Sequence, residues 1–125
     1  MTADLSQLEP LRAYLLAKRG ATEERPFGPD ALVFKVMGKI FALMGLDQPD
    51  CRVNLKCDPE RAIQLRAECP QNVLPGYHMN KVHWNTVVCD QGLSRQLVHQ
   101  LIDHSYELVI ASLPAKRRAE LYGLT

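Results

Sequence analysis

The stretch from Tyr77 to Val87, YHMNKVHWNTV, concentrates the chemistry of this chain. It holds two of the four histidines, a lysine, two asparagines and the only tryptophan. Imidazoles can bind a metal or move a proton, an ammonium can meet an anion, and an indole can stack on a flat ring. Spacing narrows these options. His78 and His83 could share a metal only if the turn between them closed tightly, and no third ligand is signalled beside them. His99 and His104, five residues apart on a helix, point about 140° away from each other. Cys51 and Cys57 share a strand face but stand roughly 20 Å apart along it. The expectation is buried small cysteines and surface or capping histidines, with no metal and no other cofactor.

Nucleophilic chemistry finds no motif. There is no G-x-S-x-G elbow and no glycine-rich phosphate loop. Ser105, in DHSYE, falls mid-helix, where a hydroxyl ordinarily bonds back to its own helix or permits close packing. Asp103 and Glu107 lie one helical turn apart on the presumed solvent side. No enzymatic activity is expected.

Binding is the remaining class. Lys35, Arg52 and Lys56 fall on strands, Lys39 on a hairpin tip, and Lys81 and His83 flank Trp84. A lysine at a hairpin tip can lay a cation and main-chain amides against phosphates. The run Lys116-Arg117-Arg118 also reads more simply as a solvated helix end. Fifteen Lys and Arg oppose fourteen Asp and Glu, for a net charge of +1. Nucleic-acid contact would therefore rest on a local patch, since no overall basic footprint exists.

The elements that must position these residues follow from hydrophobic periodicity. Leu8, Leu11, Leu15 and Leu16 predict a first helix starting near Glu9, with Pro10 in its first turn and Gly20 as its stop, the alternative being a kinked start at Asp4. ATEERPFGPD reads as a loop. ALVFKVMGKIFALMGL reads as two strands joined at Gly38-Lys39 by a type II′ turn. In CRVNLKC, Cys51, Val53, Leu55 and Cys57 share one face, and Arg52, Asn54 and Lys56 the other. Asp58-Pro59 caps and opens a helix to about Cys69, and Ser94 caps the longest helix. A strand from Val82 to Cys89 and a short basic helix after Pro114 complete the chain, with a further short strand expected around Asn72 to Leu74. The predicted class is α+β, a two-layer sandwich whose antiparallel sheet carries helices on one face.

The length of 125 residues suits one domain over 1–125, and 46% apolar with 23% charged residues is an ordinary globular mixture. Cysteines spaced without a CxxC pair, a start unlike a signal peptide and no apolar run of about 20 residues predict a cytoplasmic protein with reduced thiols and no membrane partner.

PGYHMNKVHWNTV, with IDHSYELVIASLPAKRRAEL downstream and EERPFG and VFKVMGKIFALM upstream, resembles the MmcQ/YjbR family of small bacterial proteins. The resemblance spans about residues 8 to 122, and Asn80, Lys81, His83, Trp84, Thr86 and Val87 carry its most specific part. It implies a fold similar to frataxin-like and secretion-chaperone-like sandwiches, and a DNA-binding role through a double wing motif of hairpins. It implies no catalytic residue and no cofactor.

Two partner classes follow. DNA would meet the basic sheet face and hairpin through Lys35, Lys39, Arg52, Lys56, Lys81 and His83. Alternatively, a protein partner would dock on the sheet, a reading motivated by the apolar run IFALMGL. A third reading is an enzyme or ligand carrier using His78, Lys81, His83 and Trp84. Trp84 itself reads first as a core anchor, with Asn80 and His83 ordering the turn before it.

Overall fold

The computed structural model describes residues 5–47, 50–76, 79–90 and 92–123. Four helices pack on a six-stranded, wholly antiparallel sheet of order β1-β2-β3-β4-β6-β5, the predicted α+β sandwich. The elements are α1 (Leu5–Leu16), β1 (Ala21–Glu24), β2 (Ala31–Val36), β3 (Lys39–Gly45), β4 (Arg52–Lys56), α2 (Pro59–Glu68), β5 (Val73–Pro75), β6 (Trp84–Val88), α3 (Arg95–Ala111) and α4 (Ala115–Tyr122). No helix among the described residues is long and apolar enough to cross a membrane.

Strand alternation divides the sheet into two unlike faces. Leu32, Phe34, Val36, Ala42, Met44, Val53, Leu55 and Val87 enter one core with Leu11 and Leu15 of α1, Ala62 and Leu65 of α2, and Leu101, Ile102 and Val109 of α3. The register sends Ala31, Val33, Lys35, Leu43, Gly45, Arg52, Asn54, Lys56, Trp84, Thr86 and Val88 to the opposite face, which no helix covers. Trp84 is thus not an anchor of the helix-side core. It is half-buried on the far face, while its neighbour Asn85 points toward α2.

Local structure departs from expectation in four further places. Helix α1 begins at Leu5, so Pro10 lies inside it. Its ring removes one main-chain bond, which is tolerated because the position is exposed. Ala21–Glu24, expected as loop, pairs with β2 as an edge strand, and Glu23 is fastened to Arg12 of α1 by a two-toothed ion pair. The β2–β3 turn is Met37-Gly38, one residue earlier than the spacing suggests. Both residues have positive φ, 49° and 82°, which makes the turn type I′. Asp103, expected on the solvent side, is only part-exposed, accepting bonds from Tyr14 (2.7 Å) and Lys18 that clip α1 to α3. Burial and then that bond to Asp103 push the Tyr14 hydroxyl up to about 12.

Ser105 does more than pack. The β2–β3 register slips between Phe34 and Lys35, leaving Phe41 as an extra, unpaired residue of β3. On the other side of β3, where pairing with β4 stops at Ala42–Leu55, the fully buried Ser105 hydroxyl donates to the Phe41 carbonyl (2.6 Å) and accepts from the Lys56 N–H (2.8 Å). A side chain of α3 therefore replaces a rung of the β3–β4 ladder. The caps expected at Asp58 and Ser94 are present, each accepting from the N–H three residues on (3.3 and 3.1 Å).

Candidate functional site

The six residues of the expected DNA-facing set do not share one patch. Lys35, Lys39 and Lys56 lie toward the β2–β3 turn end of the sheet, and Arg52 lies at the other end, opposite Gly45 and Val88. Lys81 and His83 sit just before β6, near Lys56, because the His83 carbonyl accepts from the Cys57 N–H. Two of the six are neutralised. Lys35 pairs with Glu24 at 3.3 Å, and Arg52 forms two bonds to Asp50, at 2.6 and 3.1 Å. Lys39 instead reaches around the turn to the Ser112 hydroxyl at 3.3 Å, where Arg117 of α4 also donates to the Met37 carbonyl at 3.4 Å. The basic run after Pro114 and the hairpin tip thus meet at one corner.

The segment before β6 is held as structure. Asn80 Oδ1 accepts from the Val82 and His83 N–H groups (2.8 and 3.3 Å), as expected of a turn-ordering asparagine. Arg66 of α2 clamps the segment from the helix side, donating to Asn85 Oδ1 (2.7 Å), the Trp84 carbonyl (3.1 Å) and the Lys81 carbonyl. Gly76 lies so close that a Cβ there would stand 2.8 Å from Trp84 Cβ. The His83 main chain takes part in this turn, and its side chain is exposed. Tyr77 and His78 lie outside the described residues.

The feature that spacing could not show is a groove of about 600 Å³ on the helix-free face. Its walls are Phe27, Ala31, Ile40, Leu43 and Met79, and its floor includes Asn54 and Thr86. These two polar side chains are 7% and 2% exposed, and the Thr86 hydroxyl donates to Asn54 Oδ1 at 2.5 Å. Satisfying each other lets an amide and a hydroxyl sit below apolar walls without a desolvation penalty. Phe27, contributed by the β1–β2 loop, is 67% exposed beside the groove. Asp30, Asp47 and Arg52 line it as well. Of the expected cations only Arg52 is among these residues. IFALMGL carried the one sequence signal, since alternating strand positions with apolar residues on both sides leave no solvated face.

The thiols near this end of the sheet are all free. Cys51 and Cys89 stand opposite each other beyond the Arg52–Val88 pair, and the Cys89 N–H donates to the Cys51 carbonyl at 2.8 Å. The bond to Cys51 and then burial hold the Cys89 thiol well above its ordinary range.

This architecture has relatives. The family model YjbR matches residues 16–108. The chain belongs to the YjbR family. It is 33% identical to YjbR of Escherichia coli K12 over 117 residues, 94% of this chain and 98% of that protein. With YbdF of Escherichia coli O157:H7 it shares 42% identity over 92 residues, 74% of each chain. Among solved structures, a Deinococcus radiodurans protein with the DUF419 domain superposes with a TM-score of 0.87 at 37% identity, covering 95% of this chain and 89% of that one. A Pseudomonas syringae protein superposes with a TM-score of 0.67 at 28% identity, covering 80% and 96%. Both family resemblance and fold class read from the sequence therefore hold. Within the YjbR-matched segment fall all of the groove's lining residues, from Phe27 to Thr86.

Proposed function

We propose that this YjbR-family chain is a non-enzymatic binding module that docks a protein partner through the helix-free face of its sheet. One observation carries the reading: a groove of about 600 Å³, within the range of specific binding sites, opens on the sheet face that no helix of the described residues covers and is walled by Ile40, Leu43, Met79 and the exposed Phe27. An apolar concavity with a satisfied polar floor rewards burial of a partner's side chains. The floor, an amide bonded to a hydroxyl, supplies neither a general acid nor a general base. The test is an amide-resolved NMR titration with the capped tripeptide acetyl-Leu-Leu-Leu-amide. Shifts centred on Ile40, Leu43, Asn54 and Thr86 are expected, and weakened binding in Leu43→Ser. Shifts centred elsewhere would remove the reading.

A second reading, contact with the DNA backbone, is favoured by the corner where the hairpin tip meets α4. Lys39 and Arg117 are both tied to that turn, and Lys116 is exposed beside them. Such contact would be salt-dependent and indifferent to sequence. Fluorescence anisotropy with a duplex at low ionic strength checks it: a Lys39→Glu, Lys116→Glu variant should lose binding, and an unchanged variant rejects this corner as the contact.

A further inference from the structure

The charges around the groove restrict what the apolar walls can receive. Asp30 and Asp47 flank the β2–β3 end of the groove, held on neighbouring backbone by the Leu46 N–H bond to the Asp30 carbonyl (2.8 Å). Both side chains are exposed, and neither has an ion pair among the described residues. The one cation lining the groove, Arg52, is spent on Asp50 through two bonds. Two carboxylates of the lining therefore face one guanidinium that Asp50 already occupies, an excess of negative charge in the groove's own rim, with Arg25 held nearby on the Pro29 carbonyl at 3.1 Å. Resting on the docking reading above, we infer that the groove takes an extended segment of a partner protein that pairs apolar side chains with a lysine or arginine, the cation meeting Asp30 and Asp47.

Dimensions agree with this occupant. The lining residues run from β2 across β3 and β4 to β6, three strand spacings or about 14 Å, the reach of roughly four extended residues. An anionic occupant would bring its charge against unpaired carboxylates. A purely apolar one would desolvate Asp30 and Asp47 without compensation. A cation on an apolar stem avoids both, since its methylenes cover the walls while its head stays at the wet rim.

Three capped tripeptides separate the alternatives: acetyl-Leu-Lys-Leu-amide, acetyl-Leu-Leu-Leu-amide and acetyl-Leu-Glu-Leu-amide, titrated by NMR at low ionic strength. The lysine peptide is expected to bind at least fivefold tighter than the glutamate peptide, with the difference shrinking as salt screens the rim. In Asp30→Asn, Asp47→Asn the three affinities should converge within about twofold, at an unchanged melting temperature because both side chains are exposed and have no ion pair among the described residues. Equal affinities in the unaltered protein, or preference for the glutamate peptide, would overturn the cationic occupant while leaving the groove as a docking site. Absence of groove shifts with all three would overturn both.

Discussion

The two sides of β4 show how one five-residue strand serves two purposes. Val53 and Leu55 project into the helix-side core and are almost wholly buried, surrounded by apolar residues from α1, α2 and α3. Arg52, Asn54 and Lys56 project to the other side, where no helix lies. Asn54 is nonetheless only 7% exposed, bonded to Thr86 beneath the groove. The helix side is closed by dispersion and apolar burial. The groove side is shaped by a satisfied polar floor and by loops that bring Phe27 and Met79 to its edges. The difference teaches that a face without helices need not be a plain solvated surface: here it is grooved, with apolar walls over a buried polar pair.

Breaking the helix side should cost most. Phe34→Ala removes a fully buried ring from the core and is expected to lower stability by about 3–5 kcal/mol, read from the denaturant midpoint. Ser105→Ala tests the link between the two sides. It leaves the Lys56 N–H and the Phe41 carbonyl without their partner, at an expected cost of about 2–3 kcal/mol, and should also move the amide resonances of the groove. A variant that shifts neither would show that the strands close the gap themselves. Gly76→Ala comes next, at about 1–3 kcal/mol by thermal melting, because its methyl would collide with Trp84 on the groove side. Leu43→Ala, half-buried in the groove wall, should cost less than about 1 kcal/mol while weakening tripeptide binding.

The smallest effect is a pH dependence. His104 Nε2 accepts from the Asp58 N–H at 3.2 Å, and burial, followed by repulsion from Arg61, holds the ring's pKa below its usual value. The neutral ring is therefore the native form. Its contribution is present above the unfolded pKa of about 6.5 and is lost as pH falls through the folded pKa. Urea denaturation across pH 7 to 5 should show stability declining with acidification, and His104→Gln should flatten that slope. An identical slope in the variant would remove His104 as its source.

Much of the fold was legible because its signals are local. CRVNLKC alternates without exception, and Asp58-Pro59 and Ser94 announce helix starts through groups that satisfy the first free N–H donors. Other features depend on distant partners. ATEE carries no apolar pattern, and becomes a strand because β2 offers it an edge and Arg12 secures Glu23. Met37 took its left-handed conformation from the strand register rather than from residue preference, so the turn was placed one residue late. Trp84 is assigned to its face by pairing with Lys56, which its own size cannot indicate. The groove was least legible of all. Phe27, Leu43, Asn54, Met79 and Thr86 come from five separate segments, and only the sheet order and loop paths make them neighbours.

The Ser105 bridge has a consequence for variation among relatives. A bulge bends its strand and sharpens the local twist, and this one lies in β3, between Ile40 and Leu43 of the groove wall. One hydroxyl in the helix layer thus bonds the very residue whose bulge bends the surface on the other side of the sheet. The two layers cannot drift independently: where a relative lacks a hydroxyl at this place, its β3 should run regular and its far face flatter, and the residues matching Ile40 and Leu43 should have changed in step.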